Sequence, residues 1–306
     1  MTKCLVSISV AVVALPCVLV SAEPIELVYQ FPEDTPVWYE TVQEMDQTQT
    51  MLGQTAQVLS STTQRTQTEL IETYEDGTFV IGNTVESIAF SMVGEGLDIE
   101  YDSTKPEDQA KLVDPMLASL AALNGIQVQL LLDPTGTILD VPNLPALQNH
   151  IFEMEDPSMM AMMEMMVQRD TLIATNEMNY KLLPLKPVEV GDQWQRVFEV
   201  PFALGKITME LNLTLEEVST EKDEAQIAEI SIGGKIDMQF NDIESVTIIQ
   251  KDSSIAGVAR FDVEDGVFDT LLLNTGYQME VHVAQAIEPQ AVIGIGQKVK
   301  MTRLED

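Results

Sequence analysis

The sequence contains almost no cysteine or histidine, which removes several kinds of site at once. Its 306 residues include two cysteines and two histidines. Both cysteines, Cys4 and Cys17, lie in an apolar N-terminal stretch that has the pattern of a cleaved export signal. The mature chain is therefore expected to lack disulfides, thiolate metal sites and cysteine nucleophiles. Its stability then has to come from a packed core, for which a chain of this length is sufficient.

Basic residues are also scarce. The chain has 16 lysines and arginines against 49 aspartates and glutamates, a formal charge of −33 at pH 7. Nucleic acids and anionic membrane surfaces are poor partners for such a chain, because both are bound through basic patches. The acidic excess indicates either solubility in a salty or extracellular medium or a loose cation-binding surface. We favour solubility, and we predict no metal and no other cofactor.

Motifs for catalysis are missing as well. The nucleophile elbow Gly-x-Ser-x-Gly and the glycine-rich phosphate loop are both absent. His282 falls on the polar face of a predicted strand and His150 in a short predicted helix, so neither is placed as a catalytic base. Close pairs of carboxylates arise by chance among 49 acidic residues, and only Trp38 and Trp194 are available to stack on a sugar. The sequence thus predicts no catalytic residue.

One acidic turn is a candidate for weak calcium binding. Four carboxylates surround Gly266, namely Asp262, Glu264, Asp265 and Asp269. Oxygen-rich clusters suit Ca²⁺, but these residues lack the ligand spacing of a helix-loop-helix calcium site. A solvated turn is the interpretation that we prefer.

Residues 1–22 have the pattern of a secretory signal. A positive end and an apolar run are followed by small residues at Val20-Ser21-Ala22. The apolar run is short for a membrane span. Cys17 follows Pro16 rather than a small residue, which favours simple cleavage after Ala22 over acylation. We therefore expect a secreted or periplasmic protein whose mature chain has no integral membrane segment.

A proline-containing stretch from Leu182 to Trp194 divides the remaining chain. Pro184 and Pro187 fix φ and bias the residues before them towards extended geometry, so a preceding helix has to end there. On this basis we divide the chain into a signal peptide (1–22), an N-terminal β-meander block with helical insertions (23–186) and a C-terminal β-meander block (187–306).

Alternating apolar residues predict a mainly β (α+β) fold. The alternation from Ile207 to Leu215 is typical of a half-buried antiparallel strand. A strand over 267–283 is so long that a bulge is expected, with Gly276 as its candidate position. Residues 25–31 are predicted as an early strand, with Ile25, Leu27 and Tyr29 on one face. The expected architecture is antiparallel meanders forming a curved sheet or sandwich, with helical insertions at about 106–123 and 157–179.

The region from Gln47 to Thr68 is rich in threonine and glutamine. Threonine favours extended backbone, and Gly53 allows a hairpin between two long polar strands. One interpretation is a polar groove or a threonine-lined binding face. The other, which we favour, is a solvated hairpin that projects from the edge of a sheet.

The most unusual stretch is rich in methionine. Asp156-Pro157 is typical of a helix start, and at helical spacing one face carries Met159, Met162, Met163 and Met166. This face either packs as core or lid, contacts an apolar ligand or partner through adaptable thioethers, or binds Cu(I). We favour packing and rank copper last, because copper sites usually recruit histidine or cysteine too. The four methionines are the residues predicted to line a ligand site.

Two patches resemble a known family. The string Pro187-Val188-Glu189-Val190-Gly191-Asp192-Gln193-Trp194, with Leu183-Pro184 before it, is similar to a signature of a family of secreted bacterial proteins of unknown function. The turn Asp133-Pro134-Thr135-Gly136, leading into Ile138-Leu139-Asp140-Val141, resembles a second patch of that family. The resemblance implies an exported antiparallel sheet protein and no particular chemistry.

These observations favour an exported, non-enzymatic binding or structural protein. Its cleft is expected between the methionine-rich helix and the concave face of the sheet, where an apolar small molecule, a lipid or a protein would be the partner. Two alternatives stay open, an extracytoplasmic hydrolase that depends on carboxylates and a Cu(I)-binding protein. The hydrolase alternative requires two acidic residues with mutually raised pKa in one pocket.

Overall fold

The computed structural model describes residues 24–122, 124–152, 160, 164, 167–202, 205–220, 225–241, 246–283 and 289–305. Within these ranges the protein is mostly β. Twelve antiparallel strands form one open, curved sheet, accompanied by three short α-helices and one 3-10 helix. Of the two predicted architectures, the curved sheet is the one observed.

The strands are long and the helices are short. The strands are β1 (Val37–Met51), β2 (Gln54–Thr73), β3 (Phe79–Gly94), β4 (Leu97–Asp102), β5 (Gln127–Leu132), β6 (Ile138–Asp140), β7 (Gln193–Phe202), β8 (Gly205–Thr220), β9 (Gln226–Phe240), β10 (Val246–Asp262), β11 (Val267–Val283) and β12 (Ala291–Leu304). The α-helices are α1 (Pro115–Ala121), α2 (Leu144–Phe152) and α3 (Arg169–Tyr180), and the 3-10 helix is Pro106–Val113.

The strand order in the sheet is β6-β5-β3-β2-β1-β12-β11-β10-β9-β8-β7, and β4 also pairs with β3. Most neighbours in this order are also neighbours along the chain. The exception with the largest effect is β12, which pairs with β1 from Trp38 opposite Leu304 to Met51 opposite Ala291. The strands on both sides of the 186/187 boundary therefore belong to one sheet.

The sheet has an apolar face and a polar face because its strands alternate. On β8, Leu211, Leu213 and Leu215 are buried, whereas Asn212 and Glu216 between and after them are exposed. The same side of β9 and β11 carries buried Ile230, Ile232, Leu271 and Leu273. We call this buried side the inner face and the other side the outer face. Each fully buried leucine or isoleucine contributes roughly 1.5–3 kcal/mol to folding.

The first described segment, residues 24–36, is extended but is not part of a strand ladder. Its backbone forms one isolated bridge, between Ile25 and Val188. Tyr29 N–H donates to the carbonyl oxygen of Pro134 at 2.9 Å, and Gln30 N–H donates to that of Gly266 at 3.1 Å. The strand predicted for 25–31 is therefore wrong. Its alternation was correct, because the side chains that enter the core are Leu27, Tyr29 and Phe31.

Neither helical insertion is one continuous helix. In 106–123 a 3-10 helix and α1 are separated by Asp114, which is extended (φ −78°, ψ 121°), at the second helix start that Asp114-Pro115 predicts. The following Pro115 disfavours helical geometry at Asp114, which explains the break. Similarly, Gln168 is extended (φ −78°, ψ 143°) and α3 begins only at Arg169, so one continuous helix over 157–179 does not form. Neither proline nor glycine adjoins this second break, so it has no local signal in the sequence.

The start of α3 is anchored to the edge of the sheet. Arg169 Nε donates to the carboxylate of Asp140 at 2.8 Å, and its Nη2 donates to the carbonyl oxygen of Leu139 at 2.7 Å. The helix ends at Tyr180, as the prolines after it require, and β7 begins at Gln193. The connection is tied to β7, because Trp194 Nε1 of β7 donates to the carbonyl oxygen of Leu182 at 2.8 Å. These bonds hold α3 over the inner face.

Two details of the long strands differ from expectation. The β1–β2 hairpin turns at Leu52-Gly53 as predicted, but it lies between β3 and β12 rather than at a sheet edge. Gly276 is paired in register with Ser254 and Gly296, so it is not a bulge. The pairing of β10 with β11 has two register shifts, one between Gln250 and Ser253 of β10 and one between Arg260 and Phe261, which face Thr270 and Phe268 of β11. The expected irregularity of the 267–283 strand is therefore present, at 268–270 rather than at Gly276.

One tight turn connects several of these parts. In the turn Asp133–Gly136, the carboxylate of Asp133 accepts the N–H groups of Thr135 and Thr137, both at 2.9 Å. Gly136 has a left-handed conformation (φ +84°), and a Cβ on it would overlap the carbonyl oxygen of Tyr180 and contact the ring of Tyr29. The turn thus packs against both the end of α3 and the first extended segment.

We predict that Gly136→Ala lowers the free energy of unfolding by roughly 3 kcal/mol or more, because strain at positive φ adds to the overlap. Gly53→Ala is the matched control. Gly53 also has positive φ (+81°) but has open space around it, so its substitution should cost about 1 kcal/mol. Urea unfolding of both variants measures the difference. Equal losses would mean that the contact with Tyr180 has no energetic weight.

Candidate functional site

A pocket lies between α3 and the inner face of the sheet, and its volume is about 260 Å³. The first extended segment forms one wall, α3 another, and β1, β2, β3, β5, β11 and β12 supply the rest. The lining side chains are Tyr29, Phe31, Tyr39, Thr41, Gln64, Thr66, Thr68, Asn83, Val85, Ile126, Val128, Asn176, Asn179, Tyr180, Phe268 and Met301. Asn179 is exposed at the edge of this lining, so the pocket is open to solvent there.

The pocket exists because short polar side chains replace large apolar ones on part of the inner face. Under α3, the inner positions of β2 and β3 are Thr66, Thr68 and Asn83, where β8 and β9 carry leucine and isoleucine. Protein interiors are otherwise close-packed, so shorter side chains opposite a fixed helix leave space.

A small hydrogen-bond network fixes the polar wall. The amide oxygen of Asn83 accepts two hydrogen bonds, from Thr68 Oγ1 at 2.8 Å and from the Tyr180 hydroxyl at 2.9 Å. Thr68 is almost fully buried. Next to them, Gln64 Nε2 donates to Thr66 Oγ1 at 3.2 Å. These bonds orient the side chains before any ligand is present.

The opposite wall is aromatic. Tyr29 stacks on Phe31 with ring centroids 5.9 Å apart, and its ring meets those of Tyr180, Phe261 and Phe268 edge-on at 5.8 to 6.0 Å. The Tyr29 hydroxyl donates to the carbonyl oxygen of Asn179 at 3.3 Å. Aromatic packing of this kind adds roughly 0.5–1.5 kcal/mol per pair, so this wall is rigid.

The tyrosines of the pocket stay protonated at neutral pH. Burial raises the pKa of Tyr180 to about 12. Burial, reinforced by the neighbouring Tyr180 and Tyr39, also holds the pKa of Tyr29 well above its usual range. The pKa of Tyr39 is also raised, and burial is again the main cause. The described lining contains no aspartate, glutamate, lysine, arginine or histidine, so the pocket is uncharged.

Part of the threonine- and glutamine-rich region belongs to this site. Gln64, Thr66 and Thr68 face the pocket, whereas the tip of the hairpin is exposed. The interpretation as a solvated hairpin therefore fits the tip, and the interpretation as a threonine-lined face fits this end of β2. Sequence alone did not distinguish the two ends.

The four methionines predicted to line a ligand site are not among the residues that the structure describes. Met159, Met162, Met163 and Met166 lie outside the described residues, so their role in a ligand site stays a prediction. Met160 is described, and it packs half-buried against the main core. Of the residues that do line the pocket, Tyr29 had a detectable signal, since it alternates with Leu27 in a predicted strand. Asn83 and Tyr180 had none.

The acidic turn around Gly266 holds an arginine. Arg303 contacts three of the four carboxylates: its Nη2 bonds Asp265, and its Nη1 lies 3.6 Å from both Asp262 and Asp269. Asp262 also accepts the N–H groups of Glu264 and Asp265, both at 3.0 Å. The guanidinium supplies the positive charge that a cation would bring. Across the described ranges, no group of three or more His, Cys, Asp or Glu side chains is arranged to hold a metal.

The hydrolase alternative gains no support from the described residues. Where a shift of a carboxyl pKa is resolved, at Asp76, Asp102, Asp108, Asp140 and Glu280, the pKa is lowered. Hydrogen bonds to neighbouring side chains are the largest cause in each case, for example Lys251 at Glu280. His282 lies 3.2 Å from the same Glu280 carboxylate. A general acid would need the opposite shift.

We predict that the stabilising effect of the Tyr180 hydroxyl is lost in alkali. Its pKa is about 12 in the folded protein and roughly 10 when unfolded, so the folded state holds the proton more tightly. Stability from this group is therefore complete below pH ~10 and falls as the pH rises towards 12. The difference in unfolding free energy between the natural protein and Tyr180→Phe should shrink over that range.

Urea unfolding at several pH values measures this difference, with Tyr74→Phe as the control. Tyr74 is exposed, and its hydroxyl donates to the carboxylate of Glu72 at 2.8 Å. A Tyr180→Phe difference that stays constant from pH ~8 to ~12 would contradict the assignment.

No helix in the described part of the chain combines the length and apolar character needed to cross a membrane. Solved structures give distant likenesses. A lipovitellin structure concerned with lipid–protein interactions covers 90% of this chain at 8% identity with a TM-score of 0.45, and the chain spans 26% of the lipovitellin chain. DynF from the dynemicin biosynthesis pathway of Micromonospora chersina matches over 98% of this chain and 94% of its own. The sequence identity is 11% and the TM-score is 0.20.

An outer membrane channel from Pseudomonas putida F1 covers 92% of this chain and 99% of its own, at 8% identity and a TM-score of 0.22. With TM-scores below 0.5, these likenesses carry no argument about function. No curated protein matches the sequence. A family model does match, over residues 76–268, and it includes both patches on which the sequence resemblance rested. The chain belongs to this family, the family of unknown function DUF6263.

Proposed function

We propose that the protein is a non-enzymatic binding protein that holds a small, largely apolar molecule in the pocket between α3 and the inner face. The observation that carries the proposal is an open space of about 260 Å³ between α3 and the inner face, lined mainly by buried or half-buried side chains. Its walls combine apolar rings with a few oriented polar groups. Ligand sites in proteins typically have this composition.

The size of the pocket limits the ligand. Small-molecule sites usually span roughly 300–1,000 Å³, and this pocket lies just below that range. A single short acyl chain or a compound of one to three rings therefore fits better than a large lipid. Met160 packs near this core, and we propose that the neighbouring Met159, Met162, Met163 and Met166 contribute an adaptable apolar surface to the same ligand.

We also propose that the protein works outside the cytoplasm, after cleavage behind Ala22. The support is the sequence pattern of residues 1–22 and the strong acidic excess, which favours solubility in a salty medium. The mass of the protein recovered from the native host tests this. A mature chain that begins at Glu23 is the expected result, and a full-length chain retained in the cytoplasm would refute it.

Binding of an uncharged fluorophore tests the proposed pocket. N-phenyl-1-naphthylamine brightens in apolar surroundings, and we expect saturable binding to the purified protein. Val128→Phe places a ring into the pocket from β5, and Thr41→Phe does so from β1. Each should weaken binding about tenfold or more, because the added ring occupies the ligand's space.

Val197→Phe is the control for added surface hydrophobicity. Val197 is 51% exposed on the outer face of β7, so this variant should bind as the natural protein does. Thermal unfolding of all three variants separates loss of binding from loss of fold. Unchanged binding in both folded pocket variants would place the ligand elsewhere and refute the proposal.

A further inference from the structure

We infer that the ligand of this pocket is an uncharged molecule that presents a hydrogen-bond acceptor, such as a carbonyl oxygen, to the side-chain amide of Asn83. The inference rests on the proposed function, because it names the chemical class that the same pocket would take. It follows from two independent features of the lining, its charge and its hydrogen-bond directions.

The first feature is that the described lining has no charged side chain that could pair with an ionic ligand. Among the described lining residues there is no carboxylate for a cation and no ammonium, guanidinium or imidazole for an anion. A buried ion without a partner costs several kcal/mol of effective desolvation. Anions are disfavoured further by the formal charge of −33, which repels them from the whole surface.

Organic cations are the stronger competitor, since aromatic rings can bind them through their faces. In this pocket the aromatic rings already pack against each other. Tyr29 stacks on Phe31 and meets three more rings edge-on. Near the pocket's other wall, the charged groups that act on Tyr39 are Arg303 and Asp269, which lie 3.6 Å from each other and offset each other. The lining therefore offers neither a free aromatic cage nor a negative group to a cation.

The second feature is the orientation of Asn83. Its amide oxygen accepts hydrogen bonds from two hydroxyl groups, Thr68 Oγ1 and Tyr180 OH. An amide oxygen can only accept, so both hydroxyl protons are used in these bonds. The side chain lines the pocket, and with its oxygen held by two donors, its NH₂ group is the part left to donate to a ligand. A carbonyl, ester or ether oxygen is the matching group.

Competition among four molecules that share a ten-carbon chain tests the inference: 2-decanone, decane, decanoate and decyltrimethylammonium. Displacement of bound N-phenyl-1-naphthylamine by each is measured, with the two ionic molecules kept below their critical micelle concentrations. We expect 2-decanone to bind best. Decane should bind roughly three- to tenfold more weakly, because it cannot accept the hydrogen bond from Asn83. Both ions should bind on the order of a hundredfold more weakly, because their charge would be buried without a partner. Either ion binding as tightly as the ketone would overturn the inference and leave the proposed binding function intact.

The variant Asn83→Asp sharpens the test. A carboxylate still accepts from Thr68 and Tyr180, so the network keeps its geometry, but the donor is replaced by a negative charge. Binding of 2-decanone should fall about tenfold or more, and decyltrimethylammonium should become the better ligand. Thermal unfolding checks the fold, and the head-group series with the natural protein stands on its own if the variant is unstable.

Asn212→Asp is the matched control. Asn212 is exposed on β8, and its amide oxygen likewise accepts a hydrogen bond, from Gln195 Nε2 at 2.8 Å. The same substitution there should leave the order of the four ligands unchanged. Equal behaviour of the two variants would overturn the role of Asn83. Absence of probe binding to the natural protein would instead refute the proposed function itself.

Discussion

The structure depends on covering the inner face of a single curved sheet. A sheet that buries one face needs a second layer, and in this chain no second sheet supplies it within the described residues. The cover includes the segment 24–36, α3 and the connection after it, which carry buried side chains such as Leu27, Leu172 and Leu183, and the short helices α1 and α2 add Leu117 and Leu147. Because the cover is assembled from separate pieces, its fit to the sheet is uneven.

The pocket is a direct result of that uneven fit. Irregular segments can enter a core only if their backbone groups find partners, and residues 24–36 find them in isolated turn carbonyls, at Pro134 and Gly266. These contacts fix Tyr29, and the contacts of Arg169 fix α3. With both covers held, short side chains at Thr66 and Asn83 leave a space that neither can close.

Local features of the fold were predictable from the sequence because they follow from local physics. Three features have a signal within a few residues: the alternation in β8, the turn at Asp133–Gly136, and the end of α3 before the proline-containing connection to β7. The pairing of β1 with β12 has no such signal, since it joins residues more than two hundred positions apart. The early segment 25–31 illustrates the limit, because its alternation was visible but its lack of a ladder partner was not.

The site was harder to predict than the fold for the same reason. Its lining comes from the first segment, six strands or their flanks, and α3. Alternation marked Tyr29, and composition marked Gln64, Thr66 and Thr68, but neither pattern showed that these residues come together. Asn83 is an ordinary polar residue in a strand, and it becomes part of a network only because the fold brings Thr68 and Tyr180 to it.

The adjacency of β1 and β12 has a consequence for biosynthesis. β12 is made more than two hundred residues after β1, and fourteen residue pairs join the two strands. Until the ribosome has released β12, one whole edge of β1 has no partner and the sheet cannot be completed. Such non-local pairing is slow, and the unpaired edge is open to wrong partners in the meantime. The delay between the synthesis of the two strands leaves a period in which other cellular factors can act on the chain while its sheet is still unfinished.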